Sequence, residues 1–298
     1  AIETGRLKLR MNMMIFSFVD NLVFYDDMLK MGVRTGFGND RFRLGPLKIM
    51  IDGSSSGPTA ATREPYASNP NDSGIMSMTP AQIEDFVMRG HRAGWQVTCH
   101  AVGDKAIDAM LTAYEKAQKA FPRENCRHRI EHCAIMTEGL LERVKALGIV
   151  PIPQPVFLYE FGDGYVVNYG PDRAAKMFPC KTFLEAGVLA AGSTDCPITF
   201  SNPLLNIYMA VNRTTQTGQI VGPDECISVE EALRLFTING AYASFEEETK
   251  GSIEPGKLAD LAVLSENLLR TPKDRIKDVI VDLTMIGGEV VYDRRSDS

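Results

Sequence analysis

Residues 95–135 read WQVTCHAVGDKAIDAMLTAYEKAQKAFPRENCRHRIEHCAI. The opening run, WQVTCHAV, is short and apolar, and it stops at Gly103–Asp104, where DKAIDAMLTAYEKAQKAF takes over at helical spacing. A second β-like run, HRIEHCAI, covers 128–135. Strand, helix and strand in this order make a βαβ unit, with parallel strands and a right-handed crossover. Each run ends near a histidine, His100 in one and His132 in the other, although the chain has only four histidines.

The same alternation extends in both directions. Upstream, LKLRMNMMIFSF (7–18) reads as a strand, DNLVFYDDMLKMG (20–32) as a helix closed by Gly32, and FRLGPLKIMIDG (42–53) as a strand. A polar loop of roughly 25 residues follows, and loops of that length are usually functional or disordered. Thr79 and Pro80 then open a helix as N-cap and first helical residue. Downstream, Thr137 and Gly148 bracket the next helix, and IVPIPQPV (149–156) is a fifth strand. A Gly/Tyr-rich loop leads to a helical stretch at 171–187. VLAAGSTDCPI (188–198) reads as a sixth strand, followed by helices over 202–215 and 228–244. Repeated βα units without a G-x-G-x-x-G turn favour a barrel-type parallel sheet over a dinucleotide-binding fold. From about 248 the texture changes to short β runs between Gly and Pro turns, with Gly287–Gly288 as a hairpin turn. The division expected is an α/β domain over 1–247 and a β segment over 248–298.

Composition excludes some partners. A net charge of −6 argues against nucleic acid, which needs a basic face. No apolar run approaches the ~18–20 residues that span a bilayer, and no secretory leader is apparent. The six cysteines show no C-x-x-C spacing, which fits reduced thiols in a cytoplasmic setting.

Chemistry in parallel α/β sheets gathers at the C-terminal ends of strands. Four polar residues stand there: Lys48, His100, His132 and Asp195. A lysine among Leu47, Ile49, Met50 and Ile51 is costly to bury as a charge, and carboxylation by carbon dioxide would turn it into an oxygen ligand able to bridge two metals. Neutral imidazoles suit Zn²⁺ or a similar ion, and Asp195 could pass a proton from a bound water to a leaving nitrogen. Blander readings exist for each. A strand-end histidine can be a hydrogen-bonded structural residue, Asp195 with Cys196 and Pro197 can form a turn, and Lys48 can snorkel or pair. What favours the site is that four candidates occupy equivalent places in successive units. His91 reads as a residue of a solvated helix face. His128 shares parity with His132 but lies roughly 13 Å away along the strand, and Glu131 should face the helices with Arg127 and Arg129 in an ion pair.

At these residues the chain resembles the amidohydrolase superfamily, in the branch that includes N-substituted formamide deformylase. The matching stretches are LKIMIDGSSSGPTA, CHAVGDKAID, RIEHCAI, AGSTDCPI, ALRLFTINGAYA and GSIEPGKLADLAVL, in the family's order from about residue 6 to 293. The resemblance implies a (β/α)8 barrel of the TIM type joined to a small β-sandwich built from both termini. It also implies a metal held by an H-x-H pair on the first strand, by Lys48, His100, His132 and Asp195, with one or two ions, Zn²⁺ first among them. No histidine precedes His91, so the H-x-H pair is absent. The chain therefore corresponds to a barrel lacking its first strands plus the C-terminal part of the sandwich. Reduced metal affinity and a homo-oligomer, or a missing N-terminal portion, are expected.

The resulting reading is a metal-dependent hydrolase of non-peptide C–N bonds in small amide-like molecules. The loop after Lys48 and the stretch with Tyr159, Tyr165 and Tyr169 would shape specificity, unless those tyrosines pack on a subunit interface. Two other readings stay open: a non-catalytic scaffold or subunit, and a metal-free lyase or isomerase using Lys48 as a Schiff-base amine.

Overall fold

The computed structural model describes residues 1–17 and 22–296. Five parallel strands, β1 (Met11–Phe16), β2 (Phe42–Met50), β3 (Val97–Ala101), β4 (Arg129–His132) and β5 (Val150–Ile152), lie side by side in chain order. Their connections carry α1 (Val23–Lys30), α2 (Pro80–Arg92), α3 (Asp104–Ala120) and α4 (Glu138–Ala146). Parallel neighbours need such crossovers, and the helices cover one face of the sheet. The last residue of the expected first strand, Phe18, and the first two of the helix expected from Asp20 lie outside the described residues.

Register assigns the faces. Lys48 lies opposite Thr98, Met50 opposite His100, and His100 opposite Glu131. These residues share one face. Leu47, Ile49, Ile51, Val97, Cys99, Ala101 and Ile130 take the other, fully buried in the main core beneath the helices.

Local chemistry sets the helix starts. Thr79 accepts from the Gln82 N–H while the Gln82 side chain accepts from the Thr79 N–H, a reciprocal cap that opens α2. After β5 come α5 (Phe157–Tyr169), α6 (Pro171–Ala175), α7 (Cys180–Glu185), α8 (Pro203–Asn212), α9 (Val229–Leu235) and α10 (Ile238–Ala243). The expected loop after β5 is thus helical. Phe157, Phe161, Tyr165 and Tyr169 recur every four residues and pack inward, which outweighs the two glycines in that stretch. Gly162 has a packing reason, because a Cβ there would sit 2.6 Å from Thr215 Cγ2.

Two further expectations change. Residues 188–198 do not form a sixth strand, and 195–198 close in a turn with the Ile198 N–H donating to Asp195 O (2.9 Å). The segment follows β5 through bonds from Ala191 N–H to Pro151 O (3.1 Å) and Ser193 N–H to Pro153 O (3.2 Å), but Gly192 N–H turns away to Leu235 O. The helix expected over 228–244 breaks at Phe236–Thr237 into α9 and α10.

The C-terminal region forms an antiparallel sheet of β6 (Leu261–Leu264), β7 (Val281–Ile286) and β8 (Glu289–Asp293). Gly287 and Gly288 have φ of +61° and +83°, which is the left-handed pair a two-residue hairpin turn requires. Arg10, just before β1, donates two hydrogen bonds to Asp260, tying the parallel sheet to this smaller one.

Candidate metal centre

His100 and His132 meet in an edge-to-face ring contact, with centroids 4.4 Å apart. Strict alternation would put His132 with Ile130 on the helix-covered face. Instead His132 and Cys133 adopt φ of +71° and +46°, and this left-handed step returns the imidazole to His100. The same step explains Glu131. It was expected among the helices, but its register partner is His100, and it takes a hydrogen bond from Thr98 (2.7 Å) and a fork from Arg129 (2.9 Å) on the site face. Arg127 pairs with Glu247 instead.

Hydrogen bonds set the tautomers. His132 Nδ1–H donates to Gln154 Oε1 (2.8 Å), leaving Nε2 with a free lone pair. His100 Nε2–H donates to Gly53 O (2.9 Å), leaving Nδ1 free. Burial lowers both pKa values, and the Lys48 charge adds to this, so the imidazoles are held neutral. Neutral rings with one nitrogen anchored and one free are the form that binds a divalent ion.

Lys48 is half-buried on the same face. Its charge reaches His100, His132 and Asp195, yet among the described residues no carboxylate pairs with its ammonium. Asp195 stands in the segment after α7, beside β5, with φ of +55°. Burial raises its pKa, opposed by Lys48. His100, His132 and Asp195 do not all bring ligand atoms within 4.8 Å of one another. The donor types fit a divalent ion, as an open rather than a closed ligand set.

Two residues passed over in the sequence touch the histidines. Gln154 lies just beyond β5 and Asp52 just beyond β2, the same strand-end positions that singled out His100. Asp52 accepts from the N–H groups of Ala61 (3.1 Å), Val102 (3.1 Å) and Gly103 (2.9 Å). Burial pushes its pKa up to about 7 against these donors. Gly103 is needed there, because a Cβ would come within 1.8 Å of Ala61 O.

Tyr165 and Tyr169 are buried rather than open to a substrate or to a neighbouring subunit. They clamp the loop after β2: Tyr165 Oη meets Ser55 Oγ at 2.8 Å and Tyr169 Oη donates to Ser55 O at 3.1 Å. Tyr165→Phe leaves the buried Ser55 hydroxyl unpaired, so a loss of about 1–3 kcal/mol is expected. Faster amide exchange at residues 54–61 would accompany it, and unchanged exchange would exclude the clamp.

The tightest cluster of metal-type ligands among the described residues is a different one, His91–Cys126–His128. His91 is buried, not solvated, because it continues the Ile83–Val87 stripe at i+4 spacing, a signal present in the sequence. Val97 N–H donates to His128 Nδ1 (3.0 Å), so the His128 proton must be on Nε2, which meets His91 Nδ1 at 2.9 Å. His91 Nε2–H then donates to Phe121 O (2.8 Å). Every ring nitrogen is used, and the nitrogen a metal would need carries a proton. This is a structural relay rather than a metal site.

The relay has a pH signature. Burial lowers both pKa values below 6.5, so the unfolded chain takes up protons there that the folded chain refuses. Stability is complete above about pH 6.5 and falls below it, by up to about 2.7 kcal/mol per pH unit for two protons. Urea midpoints between pH 7 and 5 should fall less steeply in His91→Gln/His128→Gln. Parallel slopes would count against the relay.

Residues 2–292 match the Amidohydrolase family profile. The chain belongs to that family. It is 32% identical over 254 residues to the putative amidohydrolase YtcJ of Bacillus subtilis, covering 84% of this chain and 47% of that protein. It is 30% identical over 253 residues to N-substituted formamide deformylase of Arthrobacter pascens, covering 85% and 46%. An uncharacterized metal-dependent hydrolase from Pyrococcus furiosus superposes with a TM-score of 0.72 at 33% identity, covering 86% of this chain and 50% of that one. The amidohydrolase chain thus spans about half the length of these relatives. Among the described residues no helix is long and apolar enough to cross a membrane, and the six cysteines are free thiols.

Proposed function

We propose that this amidohydrolase chain carries the later metal ligands of a hydrolase acting on non-peptide C–N bonds in small amide-like molecules. The observation that carries the reading is the His100–His132 contact, with one nitrogen of each neutral ring anchored and the other free. Similarity to a protein named a formamide deformylase supports the substrate class. In this reading Lys48, carboxylated or not, and Asp195 join the histidines as ligands, and Zn²⁺ fits the imidazole donors. A bound divalent ion supplies Lewis acidity and lowers the pKa of a bound water. The chain's own part is positional. Gln154 and Gly53 orient the rings, Phe157 packs edge-on to His132 at 5.9 Å and excludes water on that side, and Asp195 holds a carboxylate near the reacting centre to take up and return a proton.

The five-stranded sheet is then part of a (β/α)8 barrel over 1–247, and residues 248–298 are part of a small sandwich. β1, an edge strand here, would pair with further strands from another polypeptide segment or another copy in a cytoplasmic assembly. The open ligand set among the described residues favours a second reading, a subunit that does not turn over substrate alone.

Dialysis against Zn²⁺ followed by metal analysis and assay on N-formyl and simple amide compounds tests both readings. Bound zinc is expected, with turnover restored once the missing ligands are supplied. Protein that retains no zinc at any concentration would leave only the scaffold.

A further inference from the structure

Asp52 follows β2 and has a fully buried side chain. Its carboxylate takes three backbone N–H groups, from Ala61 in the loop after β2 and from Val102 and Gly103 after β3, so one side chain joins two loops at the strand ends. His100 lies two residues before Val102. Its Nε2–H donates to Gly53 O at 2.9 Å, and Asp52 Oδ1 approaches the same nitrogen at 3.5 Å. At 3.5 Å the carboxylate makes a charge contact rather than a second hydrogen bond. Both groups that face His100 Nε2 therefore come from the adjacent residues 52 and 53, and the Asp52 carboxylate is fixed by the N–H groups of Ala61, Val102 and Gly103. No other side-chain carboxylate among the described residues lies within 4 Å of that ring nitrogen.

We propose that Asp52 is a positioning residue that holds His100 in its Nε2–H tautomer and so presents Nδ1 as the ligand nitrogen. This deepens the metal-centre reading and rests on it only for the part played by the ion. Partner groups of this kind behind a ligating histidine fix its tautomer and orientation, and their loss typically costs about 10–100-fold in metal affinity. A hub that merely joined loops would alter stability without altering which ring nitrogen carries the proton.

The test is long-range ¹H–¹⁵N spectroscopy of histidine-labelled, metal-free protein above pH 8, where four histidines give a tractable spectrum. The wild-type protein should show His100 as the Nε2–H tautomer. In Asp52→Asn, the His100 signals should move to mixed tautomers while His132 keeps Nδ1–H, and Zn²⁺ affinity should fall about 10–100-fold. Asp52→Glu should recover part of the tautomer preference. An Nδ1–H tautomer in the wild type overturns the proposal without any variant, which covers the case where Asp52→Asn does not fold. A folded Asp52→Asn with unchanged tautomers and zinc affinity within twofold also overturns it. Failure of the wild type to bind zinc would strike the metal reading alone, because the tautomer is read without metal.

Discussion

Truncating Arg213 to alanine is expected to lower the unfolding free energy by about 3–5 kcal/mol, read as a shift in urea midpoint. Arg213 is buried to 1% exposure at the left-handed C-cap of α8. Its guanidinium donates to four carbonyls and, among the described residues, to no carboxylate: Val221 O at 2.7 Å, Met177 O at 2.9 Å, Ala175 O at 3.2 Å and Phe178 O at 3.3 Å. The fork joins the segment after α6 to the turn after α8, and burial lowers the arginine's own pKa. Alanine would strand those carbonyls away from water and leave a cavity, each a separate cost. Arg213→Lys keeps the charge but has no planar fork, so it should recover only part of the loss. A change below about 1 kcal/mol in the alanine variant would mean that water replaces the guanidinium at little cost.

His132→Ala and His100→Ala should each weaken Zn²⁺ binding by more than about 100-fold in competition with a chromophoric chelator, since loss of a ligand exceeds the 10–100-fold cost of losing its partner. The expectation rests on the free lone pairs that the bonds to Gln154 and Gly53 leave. Gln154→Ala should fall in the lower range, because it releases the ring without removing it. His91→Ala should leave zinc affinity unchanged, as the relay offers no ligand nitrogen. Equal losses at His91 and His132 would move the ion to the relay and overturn the assignment.

The βα alternation was legible because it depends on local periodicity and caps: Thr79, Pro80, Gly148 and the Gly287–Gly288 turn all act where the sequence places them. His100 and His132 were legible as strand-end residues for the same reason. Aromatic spacing could have identified α5, and the Ile83–Val87–His91 stripe could have placed His91 inside. Asp52 and Gln154 gave a weaker signal, since each stands alone at a strand end and gains meaning only from the ring beside it.

The sequence by itself determined the strand–helix alternation from β1 to β5 and the C-terminal hairpin, and that two imidazoles stand at neighbouring strand ends. Only the tertiary structure decided that His132 turns toward His100, that Glu131 shares their face, and that residues 188–198 do not pair as a full strand. Parity along a strand is a local rule, and the left-handed step at His132 and Cys133 resets it. Whether that step is taken depends on what packs around it, which here is Gln154, Phe157 and the His100 ring.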